Sequence, residues 1–397
     1  MNYFSKIILI ASLISICTDA SAQGLAEGYF TSEALLVPTA NGSLVSIKKY
    51  NPTQAEIDNA GKPSRNSPMN YLMAPYDACN ISMYSKDFES KLYSFDNKGK
   101  VSWDMTIGYS NKSVTSPVKI YKDHIYTGEG IKDKEQVMVQ KVDMDGKIIW
   151  KAVLDSLENV NDIYVDSARV SVLVSFDISK KITNNNGTFS EHVYPIYFFV
   201  QFDIYTGKRI VKLYQNMANY LSSLDFKDPL INTDFSYYMN NSDSAAFMRV
   251  DKQEAASIVS QDMSRNHSII QLKAGTESYH LLTLLSSGRN KKTYSLISDF
   301  YGKEKKYEAE IPVPVKGGDR SFIYLTAGDT IATVISNAKN INVFYTDITG
   351  KTWLYKRIDE VISPVAGTAV SNGKTYILQV EGRVKPGVVG KLKFDLY

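Results

Sequence analysis

Seven times along this chain a short apolar segment ends in an aspartate, at a spacing that hardly changes. The copies are Leu92-Tyr93-Ser94-Phe95-Asp96, Val139-Gln140-Lys141-Val142-Asp143, Phe199-Val200-Gln201-Phe202-Asp203, Met248-Arg249-Val250-Asp251, Leu296-Ile297-Ser298-Asp299, Phe344-Tyr345-Thr346-Asp347 and Leu392-Lys393-Phe394-Asp395. Successive aspartates stand 47, 60, 48, 48, 48 and 48 residues apart. A fixed period of this size means that one supersecondary unit recurs, and that neighbouring copies stack to bury a face none can bury alone. The one long interval contains Asn184-Asn185-Asn186-Gly187, a turn-rich insertion of about twelve residues whose closure costs a loop little.

The residues after each aspartate repeat as well. Asp96, Asp143, Asp299 and Asp347 lead after two residues to Gly-Lys, at Gly99, Gly146, Gly302 and Gly350, and Asp203 does so after three, at Gly207. Aspartate bonds its own downstream backbone, and glycine takes the positive φ that a tight hairpin demands. All three tryptophans follow such turns: Trp103 and Trp150 four residues after their glycine, Trp353 three after Gly350. Val211 and Tyr307 are read as occupying the matching place in two other copies. A large apolar residue at a fixed point of each unit predicts packing between neighbouring units.

Between Ser116 and Leu154 the unit is clearest, with strands expected over Pro117–Tyr121, His124–Thr127, Val137–Asp143 and Lys147–Val153. Four antiparallel strands per unit is a propeller blade. The expected fold is therefore all-β: a β-propeller of seven four-stranded blades, with six or eight left open. Asp395 lies two residues from Tyr397, so the last unit lacks a fourth strand of its own. Glu33–Val37 or Leu44–Ile47 is expected to supply it from the N-terminal side and close the ring, which removes exposed sheet edges.

The Asp-x-x-Gly-Lys-x-x-Trp pattern, complete at Trp103 and Trp150, resembles the repeat of quinoprotein-type (PQQ-like) β-propellers. That resemblance implies the propeller fold across residues 23–397. It also points to the family's exported, non-enzymatic members, which bind other proteins. The family's quinone-dependent dehydrogenases typically pair adjacent cysteines near the cofactor, whereas Cys79 would stand alone once the leader is removed. No cofactor is expected.

The leader is read from Lys6, the apolar run Ile7–Ile16 and the small-x-small site Ala20-Ser21-Ala22, so residues 1–22 form a signal peptide and Gln23 begins the mature chain. Ten apolar residues fall short of the ~20 needed to span a bilayer, and no later run is longer, so no membrane-spanning segment is expected. Cys17 in Ile14-Ser15-Ile16-Cys17 loosely resembles a lipidation site, but Ile16 is large where a small residue normally stands. Cleavage after Ala22 is preferred to lipid anchoring, and the destination is the periplasm or the medium. With 45 basic and 42 acidic residues the charge is nearly balanced, which argues against nucleic acid as partner. The clusters Arg289-Asn290-Lys291-Lys292 and Lys303-Glu304-Lys305-Lys306 read as solvated loops or edges. Twenty-seven tyrosines and an aromatic share of 12% fit strands.

No catalytic or metal signature rises above chance. The four histidines, His124, His192, His267 and His280, are not spaced as ligand pairs. Asp143-Met144-Asp145-Gly146 hints at a calcium loop but lacks alternating ligands and a closing Glu, and reads as the hairpin turn. Ser46-Ile47-Lys48-Lys49 fits Ser-x-x-Lys, a pattern that a chain rich in Ser and Lys produces freely. Two segments depart from the repeat, Pro52–Met69 and Lys180–Val193, both read as loop insertions that either reach over a propeller face to recognise a partner or lie idle at the surface. Carboxylate pairs that meet only in space are invisible here, so carbohydrate chemistry stays open. The leading expectation is a non-enzymatic scaffold for another protein or an envelope component. The alternative is a glycan-binding or carbohydrate-active propeller.

Overall fold

The computed structural model describes residues 27–50, 88–110, 115–157, 159–183, 189–210, 230–231, 236–241, 244–250, 256–262, 267–274, 278–287, 290–299, 305–312, 320–325, 330–337, 340–347, 351–359, 365–381 and 390–397. Among them the regular structure is entirely β, and no helix is long and apolar enough to cross a membrane. The leader expected over residues 1–22, Cys79, and the Pro52–Met69 insertion lie outside the described residues.

The strands form up-and-down antiparallel sheets in chain order. The first holds β1 (Glu27–Thr39), β2 (Gly42–Tyr50), β3 (Phe88–Asp96) and β4 (Val101–Ser110). The next is β5 (Val118–Tyr121), β6 (His124–Gly130), β7 (Gln136–Asp143) and β8 (Ile148–Asp155), within a residue or three of the boundaries expected from sequence. Then follow β9 (Asn159–Val165), β10 (Arg169–Thr183), β11 (Phe189–Asp203) and β12 (Arg209–Ile210). A fourth sheet has β13 (Leu230–Ile231), β14 (Ser236–Asn241), β15 (Ser244–Val250) and β16 (Ala256–Asp262). A fifth has β17 (His267–Ala274), β18 (Ser278–Ser287), β19 (Asn290–Asp299) and β20 (Lys305–Ile311). The sixth has β21 (Arg320–Leu325), β22 (Ile331–Ser336), β23 (Asn340–Thr346) and β24 (Thr352–Asp359). Last come β25 (Val365–Ser371), β26 (Lys374–Glu381) and β27 (Gly390–Leu396). Each sheet touches its successor, and β25 and β27 touch β1. This succession of four-stranded sheets is a β-propeller arrangement.

Side chains alternate across a strand, so a strand buried on both faces serves two neighbours at once. Leu44 and Leu92 point toward the second sheet and pack with Ile107, Val118, Ile125 and Val142. Their immediate neighbours Val45 and Tyr93 point the other way, into Tyr376, Leu378, Leu392 and Phe394 of the last strands. Val137 and Val139 of β7 meet Val170, Val172 and Val174 of β10 in the same manner. The result is a separate core at each of these boundaries instead of one at the centre.

The N-terminal strand differs from expectation. Ala34–Thr39 and β2 are the first two strands of the Asp96 unit, because β3 needs two partners upstream of its own. The residues that meet β27 come earlier, with Glu27 opposite Lys391 and Gly28 opposite Gly390. A register shift between Phe30 and Ala34 marks where β1 leaves one sheet for the next.

Residues 180–183 and 189–193 of the Lys180–Val193 insertion are strand and not loop, while 184–188 lie outside the described residues. These strand residues lengthen β10 and β11, which pair continuously from Arg169–Asp203 out to Thr183–Phe189. Twelve additional residues are accommodated by growing two paired strands together, which keeps their backbone groups bonded. β9 pairs only as far as Ser175, so the outer part of this hairpin is a two-stranded ribbon. Ribbons of two strands are marginal in water. Replacing residues 180–192 by Asn-Gly should therefore change unfolding free energy by less than about 1 kcal/mol. Urea denaturation of the shortened chain checks this, and a loss several times larger would show that the ribbon packs on the body.

Candidate functional site

The repeat aspartates build their own turns. Asp96 Oδ1 accepts the backbone N–H groups of Lys98 at 2.8 Å and Lys100 at 2.9 Å. Asp143 Oδ1 accepts those of Asp145 at 3.0 Å and Lys147 at 2.8 Å, so this oxygen is spent on the hairpin. Asp203 accepts the N–H groups of Tyr205 and Thr206 and the Thr206 hydroxyl. The Thr206 N–H and then its hydroxyl hold the Asp203 carboxyl below its ordinary value. Asp347 Oδ1 accepts from Lys351 at 3.0 Å. Gly99, Gly146 and Gly207 all take positive φ, at 78°, 85° and 67°. Asp299 ends β19, while Asp251, Gly302 and Gly350 lie outside the described residues. Asp395 makes no such turn. It pairs with Ile377 inside β27, its carboxylate 3.4 Å from the Lys393 ammonium.

The tryptophans join each turn to the sheet before it. Trp103 Nε1 donates to the carbonyl of Met144 at 2.9 Å, and Trp150 Nε1 donates to that of Ile204 at 3.1 Å. In both cases the acceptor directly follows the repeat aspartate of the next sheet. The indole then lies on the turn glycine. A Cβ at Gly146 would stand 2.9 Å from the Trp103 ring, and one at Gly207 only 2.7 Å from Trp150. Strand register gives the position a definition independent of sequence spacing. Trp103, Trp150 and Trp353 lie opposite Ser94, Lys141 and Tyr345, each two residues before its aspartate. Tyr307 lies opposite Ile297 in the same relation. In the third sheet that place belongs to Ile210, opposite Gln201, and not to Val211, because its hairpin is one residue longer. Val211 itself is outside the described residues.

Sequence reasoning missed a buried ion pair. Lys48 of β2 is wholly enclosed and forms an ion pair with Glu129 of β6, across the boundary between the first two sheets. Lys48 Nζ also donates to Ser90 Oγ at 2.6 Å. The Ser90 and Ser116 hydroxyls donate to Glu129 Oε2 at 2.9 and 2.7 Å, and the Gly130 N–H reaches Oε1 at 3.0 Å. Ser46 Oγ donates to the Ser116 carbonyl at 2.9 Å. Gly108 lets β4 come this close, since a Cβ there would lie 2.5 Å from the Gly130 oxygen. Burial pushes the Lys48 ammonium below its ordinary value, against the opposing pull of Glu129.

A serine between a lysine and a glutamate has the ingredients of an activated nucleophile. Here Lys48, Ser90, Ser116 and Glu129 are each no more than 3% exposed. No substrate reaches a hydroxyl so enclosed, and the cluster acts as a polar lock between two sheets. It lies where second strands lead into third strands, the opposite end from the aspartate turns. Its signals in the sequence were Lys48 inside the apolar run of β2 and Glu129 between Gly128 and Gly130. Among the described residues Lys141 is also buried, 3.3 Å from the Ile204 carbonyl, and burial lowers its pKa too. Among the described residues no three His, Cys, Asp or Glu side chains gather as metal ligands.

Neither a protein-family model nor a curated protein sequence matches the chain. Solved structures share its general form at low identity. Hydrazine synthase of Kuenenia stuttgartiensis is 9% identical over 79% of this chain and 93% of its own, with a TM-score of 0.46. The β-propeller domain of the trilobed protease from Pyrococcus furiosus is 13% identical over 91% and 93%, with a TM-score of 0.41. The Nup133 β-propeller domain of Vanderwaltozyma polyspora is 11% identical over 91% and 100%, with a TM-score of 0.36. Likenesses this distant do not bear on what the chain does.

Lys48→Met should cost about 3–5 kcal/mol, since it strands the Glu129 charge in the interior. The double change Lys48→Met with Glu129→Leu should recover most of that loss. Equilibrium urea unfolding of the three proteins decides it, and a double variant as weak as the single one would refute the lock. The lowered Lys48 pKa also fixes a sign. Between that pKa and 10.5 the unfolded chain binds the extra proton, so stability rises with pH in this window. The stability of wild type relative to the double variant should accordingly rise with pH across that window.

The turn links make a separate prediction. Gly207→Ala both strains a positive φ and strikes the Trp150 ring, and it should cost roughly 2–3 kcal/mol. A cycle with Trp150→Ala should show coupling of about 1 kcal/mol between the two sites by urea titration.

Proposed function

We propose that this chain is an exported, seven-bladed β-propeller that serves as a non-enzymatic scaffold, binding a protein or envelope component through its outer rim. Seven blades follow if β1 is counted twice, completing β25–β27 with Glu27–Gly28 and opening the first sheet with Ala34–Thr39. Counted so, β1 closes the ring. The PQQ-like repeat type and the route through a signal peptide belong to this proposal and rest on the sequence patterns alone.

The observation that carries the scaffold reading is where the apolar surface lies. Among the described residues, the large apolar side chains left exposed are Ile148, Ile149 and Val153 of β8, Ile210 of β12, Trp353, Leu354 and Tyr355 of β24, and Tyr205 and Tyr397 beside outer strands. Outer strands carry unpaired edges, and apolar side chains gathered there favour contact with another protein. The buried Lys48, Ser90, Ser116 and Glu129, by contrast, are bonded to one another. The tyrosines lean the same way. Tyr93, Tyr126 and Tyr376 are buried between sheets, and burial raises their pKa values, that of Tyr126 to about 12. Rings enclosed in this way are structural and offer no platform for a sugar.

The test is a pulldown with residues 23–397 as bait in envelope extract, with bound material identified by mass spectrometry. A stoichiometric protein partner is expected, reduced about tenfold or more by Ile149→Asp or Leu354→Asp. Retention of glycan without protein, or capture that neither change affects, would overturn the rim as a protein-binding surface.

A further inference from the structure

Lys141 is a buried cation at a place where the fold does not require one. Ser94, Gln201, Ile297 and Tyr345 fill the same place in other sheets, two residues before the repeat aspartate. Lys141 stands between Tyr126 and Trp150 in the strand register, and those two rings pack into the core shared with the third sheet. It is 7% exposed, and its ammonium makes one hydrogen bond among the described residues, to the Ile204 carbonyl that the Trp150 indole also meets. The rings of Tyr126 and Tyr205 lie 5.7 and 6.0 Å from it. Such rings hold a cation but bring no opposite charge. Lys48 has Glu129 for that purpose, and Lys393 has the Asp395 carboxylate at 3.4 Å. Nothing does the same for Lys141, whose pKa burial alone pushes down. Beside it Tyr126 is 1% exposed, and among the described residues its hydroxyl makes no hydrogen bond.

We infer that Lys141 and the Tyr126 hydroxyl form a binding site for a small oxyanion, between the second and third sheets at the end of the aspartate turns. The ammonium has N–H groups to spare and the phenol has its O–H, and an oxyanion accepts from both. Its charge also supplies what Lys141 lacks in an interior where an unpaired charge is costly. More donors stand close by. Burial, and then the phenols of Tyr121 and Tyr205, push the Tyr126 pKa up to about 12, so three hydroxyls are gathered here. Lys122 lies 5.3 Å from the centre of the Tyr121 ring and adds a second positive charge. The carboxylates of the adjoining turns, Asp143 and Asp203, are engaged through Oδ1 with backbone N–H groups of their own hairpins. Tyr205 is exposed, so the ammonium beneath its ring lies one side chain below the surface. Such a site binds whether or not the rim holds a partner protein.

Isothermal titration of the protein with phosphate, sulfate and acetate, each at an ionic strength held constant with KCl, tests the site. Saturable one-site binding of at least one of them is expected, weakened about tenfold or more by Lys141→Met and by a smaller factor by Tyr126→Phe. Urea unfolding separates a ligand site from a structural cation. Removing an unpaired buried charge should leave the midpoint of Lys141→Met, without added anion, at or above that of wild type. The same change should abolish the rise in midpoint that the bound anion gives wild type. Binding of phosphate and sulfate without acetate would assign a tetrahedral group, and binding of acetate alone a carboxylate. No saturable binding of any of the three, or binding that Lys141→Met leaves unchanged, would overturn the inference. If Lys141→Met does not fold, Tyr126→Phe decides, since it keeps the packed ring, and undiminished binding by that variant would overturn it as well.

Discussion

Strands buried on both faces are the constraint from which this architecture follows. In a single-core protein a strand turns one face inward and wets the other. Here adjacent residues such as Leu44 and Val45, or Leu92 and Tyr93, are both fully enclosed or nearly so and belong to different interfaces. Each sheet is therefore held only by its two neighbours, and stability accumulates interface by interface, as in other repeat proteins. A sheet missing either neighbour would expose a full apolar face, so the pairing of β27 with β1 matters to every sheet and not only to the last.

Polar contacts then decide how the apolar faces align. Hydrophobic packing tolerates sliding, whereas a hydrogen bond or buried ion pair has one geometry. At the turn end, indole N–H groups from one sheet reach carbonyls of the next, and glycines let the rings lie flat. At the other end, Lys48, Glu129, Ser90 and Ser116 tie the first sheet to the second. The two devices pin opposite ends of the first two sheets. The buried ion pair by itself adds little net stability, since desolvation offsets its attraction. Its contribution is to make misaligned packing costly.

The sequence by itself determined the unit and its period. Aspartate, glycine and a large apolar residue recur because a tight turn and a joint need those chemistries at those places, and local chemistry is legible in one dimension. Strand positions in the Ser116–Leu154 unit were readable for the same reason. Only the tertiary structure decided which N-terminal residues reach β27, that the asparagine-rich insertion lengthens two strands, and that Ile210 and not Val211 holds the joint position. Register depends on hydrogen-bond pairing between strands, and a one-residue hairpin change shifts it without marking the sequence. The Lys48–Glu129 pair was hidden for a related reason. Its members are 81 residues apart, and a charge in an apolar strand reveals nothing of its partner until the sheets are stacked.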